Sequence, residues 1–195
     1  MRKAFIPFLL AMGLLACKDQ KAKEESPMVK TATTSGSKPA QAEFADVKYT
    51  NMGKQMMRQL EAGNIDQWVN NFSDNGVYIW SSGDSLAGKT AIAGYWKNRR
   101  ANVIDSIHFT NDIWVPLKVI EPQRGPDVPG VWLLSWNQVN VKYKNGKKLQ
   151  FWVHTDYHYD ASNKIDRAVQ YIDRAPINAA LGMQAASGMK PSPAK

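Results

Sequence analysis

The chain has 195 residues, with 25 Lys and Arg against 17 Asp and Glu, three histidines and a single cysteine. One thiol excludes an intrachain disulfide framework. The formal charge of +8 is spread unevenly: residues 44–181 hold sixteen basic and thirteen acidic side chains, a balance that predicts an ordinary solvated surface and argues against a face built to bind nucleic acid.

At the start, Arg2 and Lys3 precede an apolar stretch from Ala4 to Leu15, and the small residue Ala16 stands before Cys17, the layout of a cleaved export signal. An apolar run of this length is too short to span a bilayer of ~30 Å. Leu14-Leu15-Ala16-Cys17 resembles a bacterial lipobox, although Leu15 is bulkier than the usual residue there. The resemblance implies a signal peptide over 1–16, a lipid on the Cys17 thiol, attachment to a membrane and a place in the cell envelope. A mature chain of this kind has no thiol for catalysis, and its compartment offers neither nucleic acid nor nucleotide as a partner. Residues 17–43 are Lys, Glu, Ser, Thr, Ala and Pro with almost no large apolar side chain, so they read as a flexible tether. The tail 182–195 has a similar composition, which leaves 44–181 as one domain containing all seven tryptophans.

Within the domain, Asp46 can cap a helix with Val47, Tyr49, Met52, Met56 and Leu60 at three- and four-residue spacing, ending at Gly63. Ile65, Trp68, Val69 and Phe72 give a second, short apolar stripe. Residues 73–76 read as a turn and Val77-Tyr78-Ile79-Trp80 as a strand. A third helix is expected from about Thr90 to Arg100, facing inward through Ile92, Tyr95 and Trp96. Strands follow over 103–119 and 131–143, then an Asn145-Gly146 hairpin turn, and strands over 148–159 and 164–173, the last entered by a turn at 160–163. Helices followed by an antiparallel meander define an α+β fold.

Gly83-Asp-Ser-Leu-Ala-Gly88-Lys89-Thr90 matches the phosphate-loop pattern letter for letter, between a strand and a helix. That motif belongs to a parallel sheet of βαβ units, whereas hairpins follow Arg100, so nucleotide binding is rejected.

The order of helix, helix and strand, then Gly88-Lys89-Thr90-Ala91-Ile92 opening the third helix, and Asn163-Lys164-Ile165 entering the strand that ends Gln170-Tyr171-Ile172-Asp173, resembles the nuclear transport factor 2-like superfamily and its SnoaL-like branch. Asn163 stands where the family usually has Gly, and Asn also accepts positive φ. The resemblance implies a cone: a curved antiparallel sheet wrapped over three N-terminal helices, with an apolar pocket between them. The superfamily contains isomerases, dehydratases and cyclases as well as members that catalyse nothing, so the fold does not fix the function.

A two-residue turn at Asn145-Gly146 pairs Trp132 with Tyr159, Leu134 with Tyr157, Trp136 with Thr155, Gln138 with Val153 and Asn140 with Phe151 on one face. Leu133/His158, Ser135/Asp156, Asn137/His154 and Val139/Trp152 fall on the other. The first face is the more apolar and is expected to meet the helices, so Tyr78, Trp96, Trp132, Trp136, Thr155 and Tyr157 are expected to line a pocket for a small apolar or aromatic molecule. No metal and no cofactor is expected: alternate strand residues stand ~6.7 Å apart, too far for His154 and His158 to share an ion. The expected function is ligand binding without catalysis, with a homodimer through the outer sheet face. The alternatives are a SnoaL-like lyase or isomerase using His154 and Asp156 as an acid–base pair, and a scaffold for another envelope protein.

Overall fold

The computed structural model describes residues 40–121 and 128–183, which lie in one compact unit, Pro39–Lys195. Cys17, the signal segment, most of the expected tether and nearly all of the tail lie outside the described residues. The elements are β1 (Ala42–Phe44), α1 (Lys48–Glu61), α2 (Ile65–Val69), β2 (Phe72–Trp80), β3 (Ser85–Ala87), α3 (Lys89–Asn102), β4 (Ile104–Val119), β5 (Gly130–Tyr143), β6 (Lys148–Tyr159), β7 (Ile165–Tyr171) and α4 (Ala175–Leu181). All seven strands form one curved sheet in the order β1-β4-β5-β6-β7-β2-β3. The α+β class is therefore as the sequence indicates, but the sheet is mixed: β2 lies parallel to β7, while the other pairs are antiparallel. Two short elements, β3 and α4, have no counterpart in the sequence reading. β1 begins at Ala42, just inside the segment read as tether.

Local chemistry explains the elements. The Asp46 carboxylate accepts the Lys48 backbone N–H at 2.7 Å at the start of α1, and Gly63, at φ 76°, lets the chain leave it. The helix buries Tyr49, Met56, Met57 and Leu60, while Val47 stands outside it, exposed. Gly53 is the close-approach point between α1 and the sheet, since a Cβ there would lie 2.5 Å from the Trp114 ring and 2.7 Å from Leu133. Asn163 takes φ 59°, the left-handed turn into β7, and its side chain accepts the Tyr49 hydroxyl at 2.9 Å.

The phosphate-loop match folds into a hairpin instead. Gly83 N–H donates to Trp80 C=O, Gly88 N–H donates to Gly76 C=O, and residues 85–87 pair with β2, so these amides are committed to the sheet. Lys89 faces the Asp74 carboxylate at 3.8 Å.

The β5–β6 register corrects the expected one by a single residue. Trp132 stands opposite His158, Leu134 opposite Asp156, Trp136 opposite His154, and Ser135 opposite Thr155. The cause is the turn. Tyr143 N–H donates to Lys147 C=O, Gly146 N–H donates to Tyr143 C=O, and only Gly146 takes positive φ, at 86°. The loop is thus three residues, Lys144-Asn145-Gly146, with the glycine in the bulge position.

Replacing Gly53 with Val puts two methyls and a Cβ into the Trp114 and Leu133 contact. We expect it to lower stability by about 2–3 kcal/mol, read as a drop in the urea midpoint at unchanged slope.

Candidate functional site

Between the helices and the inner face of the sheet lies a cavity of about 430 Å³. Its walls come from nearly every element: Met57 and Leu60 from α1, Trp68 from α2, Tyr78 and Trp80 from β2, and Tyr95, Trp96 and Arg99 from α3. The sheet adds Asn137, Val139, Val141 and Tyr143 from β5, Val153, Thr155 and Tyr157 from β6, and Gln170 from β7, while Ile177, Asn178 and Leu181 of α4 close one side. The aromatic rings hold one another: Trp68 meets Trp96 edge-on at 5.4 Å, Tyr95 meets Trp96 at 5.7 Å, and Tyr78 lies 5.0 Å from Trp80. Contacts of this kind contribute about 0.5–1.5 kcal/mol each beyond burial and fix ring orientation.

The polar atoms of the wall are mostly neutral. Gln170 receives the Trp80 indole N–H at 3.1 Å on its oxygen and donates from its nitrogen to the Thr155 hydroxyl at 3.3 Å. Asn137 is 2% exposed, and its side-chain oxygen has no hydrogen-bond partner among the described residues. Asn137, Met57 and Phe109 also border a smaller cleft of about 190 Å³ lined by Lys54, Arg58, Glu61 and Asp112. None of the described residues that line the main cavity is Asp, Glu, His or Cys.

Arg174 is held at the rim. Its guanidinium bonds the Asp84 carboxylate at 2.7 Å and lies over the Trp80 ring at 4.9 Å. Asn145 ties α4 down from the other side, donating to Ala180 C=O at 2.8 Å.

Of the wall residues expected from sequence, Tyr78, Trp96, Thr155 and Tyr157 line the cavity, and Trp132 and Trp136 do not. The one-residue register change is the reason: even-numbered β5 residues share a face with even-numbered β6 residues. That outer face therefore carries Trp132, Trp136, His154, Asp156 and His158 together. His154 is stacked between Trp136 at 4.4 Å and Tyr171 at 5.4 Å, its Nε2 lies 2.9 Å from the Asp156 carboxylate and its Nδ1 lies 2.9 Å from Ser135 C=O. His158 bridges Asp166 and Pro129 C=O beside the Trp132 ring. The His154–Asp156 pair exists, on the side of the sheet away from the cavity. No group of three or more His, Cys, Asp or Glu side chains placed to hold a metal occurs among the described residues.

Sequence reasoning missed Asn137, Gln170, Arg99 and the whole of α4. Arg99 was within reach, because it follows Tyr95 and Trp96 by one helical turn on the same stripe.

A curved sheet folded over helices with a cavity between the layers is an α+β fold shared with solved proteins of the SnoaL-like kind. Among solved structures the fold matches a Bacillus subtilis protein provisionally assigned as an isomerase, at TM-score 0.54 and 15% identity over 69% of this chain and 93% of that one. It also matches a Shewanella denitrificans OS-217 protein provisionally assigned as a SnoaL-like polyketide cyclase, at 0.52 and 10% over 70% and 98%. A polyketide cyclase assignment from Pseudomonas putida KT2440 follows at 0.51 and 13% over 64% and 90%. No family model and no curated protein matches the sequence.

Burial raises the phenol pKa of Tyr78, Tyr143, Tyr157 and Tyr159 above the ordinary value of 10.0. The unfolded chain therefore loses these protons first. Stability from this source is fully present below pH 10.0 and falls as pH rises through the higher folded values. Absorbance at 295 nm is expected to show these four phenols ionising only as the tertiary circular dichroism signal collapses.

Proposed function

We propose that this protein is a lipid-anchored component of the cell envelope whose cone cavity binds a small apolar or aromatic molecule without transforming it. One observation carries the binding half: a cavity of about 430 Å³ walled largely by aromatic and aliphatic side chains, with amides, hydroxyls and the two arginines Arg99 and Arg174, and with no carboxylate, imidazole or thiol among its described lining residues. That volume lies within the ~300–1,000 Å³ usual for small-molecule sites, and a few placed polar groups in an apolar wall give orientation without reactivity. General acid–base work on a bound molecule needs a titratable group within hydrogen-bond reach of it. His154 and Asp156 are instead paired on the far side of the sheet. The isomerase and cyclase assignments of the structural neighbours support a ring-sized ligand, and the difference proposed for this chain is a wall with no carboxylate or imidazole, in which burial keeps the phenols of Tyr78 and Tyr157 protonated and makes them weak proton donors.

The anchor rests on the lipobox resemblance at Cys17, and the outer face supports self-association. It exposes Ile113, Trp152 and Tyr171, at 53%, 50% and 44%, around the Trp136–His154 stack, an apolar surface that a second copy would cover.

Native mass spectrometry of the purified full chain is expected to show a retained adduct of a few hundred daltons that is lost in Val153→Trp, where the indole projects into the cavity and obstructs it. The same adduct is expected to persist in His154→Ala and Asp156→Ala. An adduct indifferent to Val153→Trp, or none from any preparation, would sink the binding reading. Separately, Cys17→Ser is expected to abolish lipid labelling of the protein and to block cleavage before residue 17. A cysteine-free chain that is still lipidated overturns the anchor.

A further inference from the structure

Arg99 sets the chemical class of the occupant. It sits in the last turn of α3, on the stripe that gives Tyr95 and Trp96 to the cavity, and lines the cavity itself. Side chains on a helix lean back toward its N-terminus. Accordingly the guanidinium lies 5.9 Å from the centre of the Tyr95 ring, one turn earlier. A favourable position for a cation in a last helical turn accounts for the residue type there, but not for its place in the wall of an apolar chamber.

The two cavity arginines differ in one respect. Arg174 has its counter-ion, the Asp84 carboxylate. No carboxylate ion-pairs with Arg99 among the described residues, and its guanidinium lies over the Tyr95 ring face. The Tyr143 phenol is close enough to feel its charge, and no residue among the described lining of the cavity is a carboxylate that could neutralise it. An arginine half-buried as a residue, with phenol rings as its neighbours, lowers its energy by taking an oxyanion, and its planar donor fork fits a carboxylate or sulfonate with two parallel hydrogen bonds.

Building on the binding function proposed above, we infer that the ligand is an apolar acid: a ring-sized body held among the rings of Trp68, Tyr78, Tyr95 and Trp96, ending in an oxyanion that Arg99 receives. Asn178 and Tyr143 also line the cavity and bring further donors within its walls. The remaining wall residues would take the apolar body without reading its chemistry closely.

The test uses a matched pair of fluorescent probes that differ only in the anion: 8-anilinonaphthalene-1-sulfonate and the neutral N-phenyl-1-naphthylamine. Each is titrated into the full chain with direct excitation of the probe, and the signal of the Val153→Trp protein is subtracted to remove binding outside the cavity. The wild type is expected to bind the sulfonate at least about 10-fold more tightly than the amine, as a charge-assisted bidentate contact in a low-dielectric site would give. Arg99→Gln is expected to weaken the sulfonate by about 10-fold while leaving the amine within about 2-fold, with Arg99→Lys between them. The unchanged amine shows that the Arg99→Gln protein is folded. Equal affinity for both probes, or equal losses of both in Arg99→Gln, overturns the anion specificity while leaving the cavity a binding site. If neither probe gives a signal above the Val153→Trp blank, the binding function falls and the ligand class falls with it.

Discussion

The pairing register of β5 with β6 decides what this molecule can do. Side chains alternate across a strand, so moving the pairing by one residue exchanges the whole complement of one strand between core and surface. With Gly146 in the bulge of a three-residue loop, Ser135, Asn137, Thr155 and Tyr157 fall inside, while Trp136, His154 and Asp156 fall outside. The titratable pair and the cavity are thus kept on opposite sides of one layer of backbone. A loop one residue shorter would bring Trp132 and Trp136 to the face of Thr155 and Tyr157, and would build a different protein from almost the same composition.

The cavity also has to survive the tendency of apolar walls to close on themselves. The interiors of proteins pack at crystal-like density, so a cavity of this size keeps its shape only where its lining cannot relax into it. Here the lining is rigid. Trp68, Tyr78, Trp80, Tyr95 and Trp96 brace one another in a continuous chain of edge and tilted contacts, and the sheet side includes the β-branched Val139, Val141 and Val153 and the Thr155–Gln170–Trp80 hydrogen bonds. The open side is held by α4, which is fastened at both ends: Arg174 grips Asp84 before its first turn, and Asn145 reaches the carbonyl of Ala180 near its last. These fastenings use polar groups from parts of the chain that otherwise read as ordinary turns.

The sequence made the fold class legible because it depends on periodicity and on a few turn residues, and Tyr49, Met56 and Leu60 on α1, the Gly88 start of α3 and the left-handed Asn163 are each local signals. The pocket was half legible. Tyr78 and Trp96 are placed by elements whose orientation is set locally, whereas Trp132 and Trp136 depended on a loop whose two readings differ by one residue, and Asn145-Gly146 fits both. Asn145 is recruited by α4, and only the tertiary structure reveals that. Asn137 and Gln170 were invisible for a similar reason: a buried amide looks in sequence like any polar residue of a half-exposed strand. The parallel placement of β2 beside β7 was out of reach, since nothing in residues 72–80 names a partner so distant along the chain.

That parallel pair bears on how the protein is made. Trp80 and Gln170, joined across it, are separated by 90 positions, and until the final strand arrives the aromatic wall containing Trp80 has only the short β3 hairpin beside it. Contacts of such separation close late and slowly, because the loop entropy is spent before they return anything. Until the last strand is delivered, Tyr78, Trp80 and their neighbours are an exposed apolar surface. The same long-range closure that gives the cavity its rear wall therefore leaves the unfinished chain adhesive, and makes the last few dozen residues the ones on which its solubility during synthesis depends.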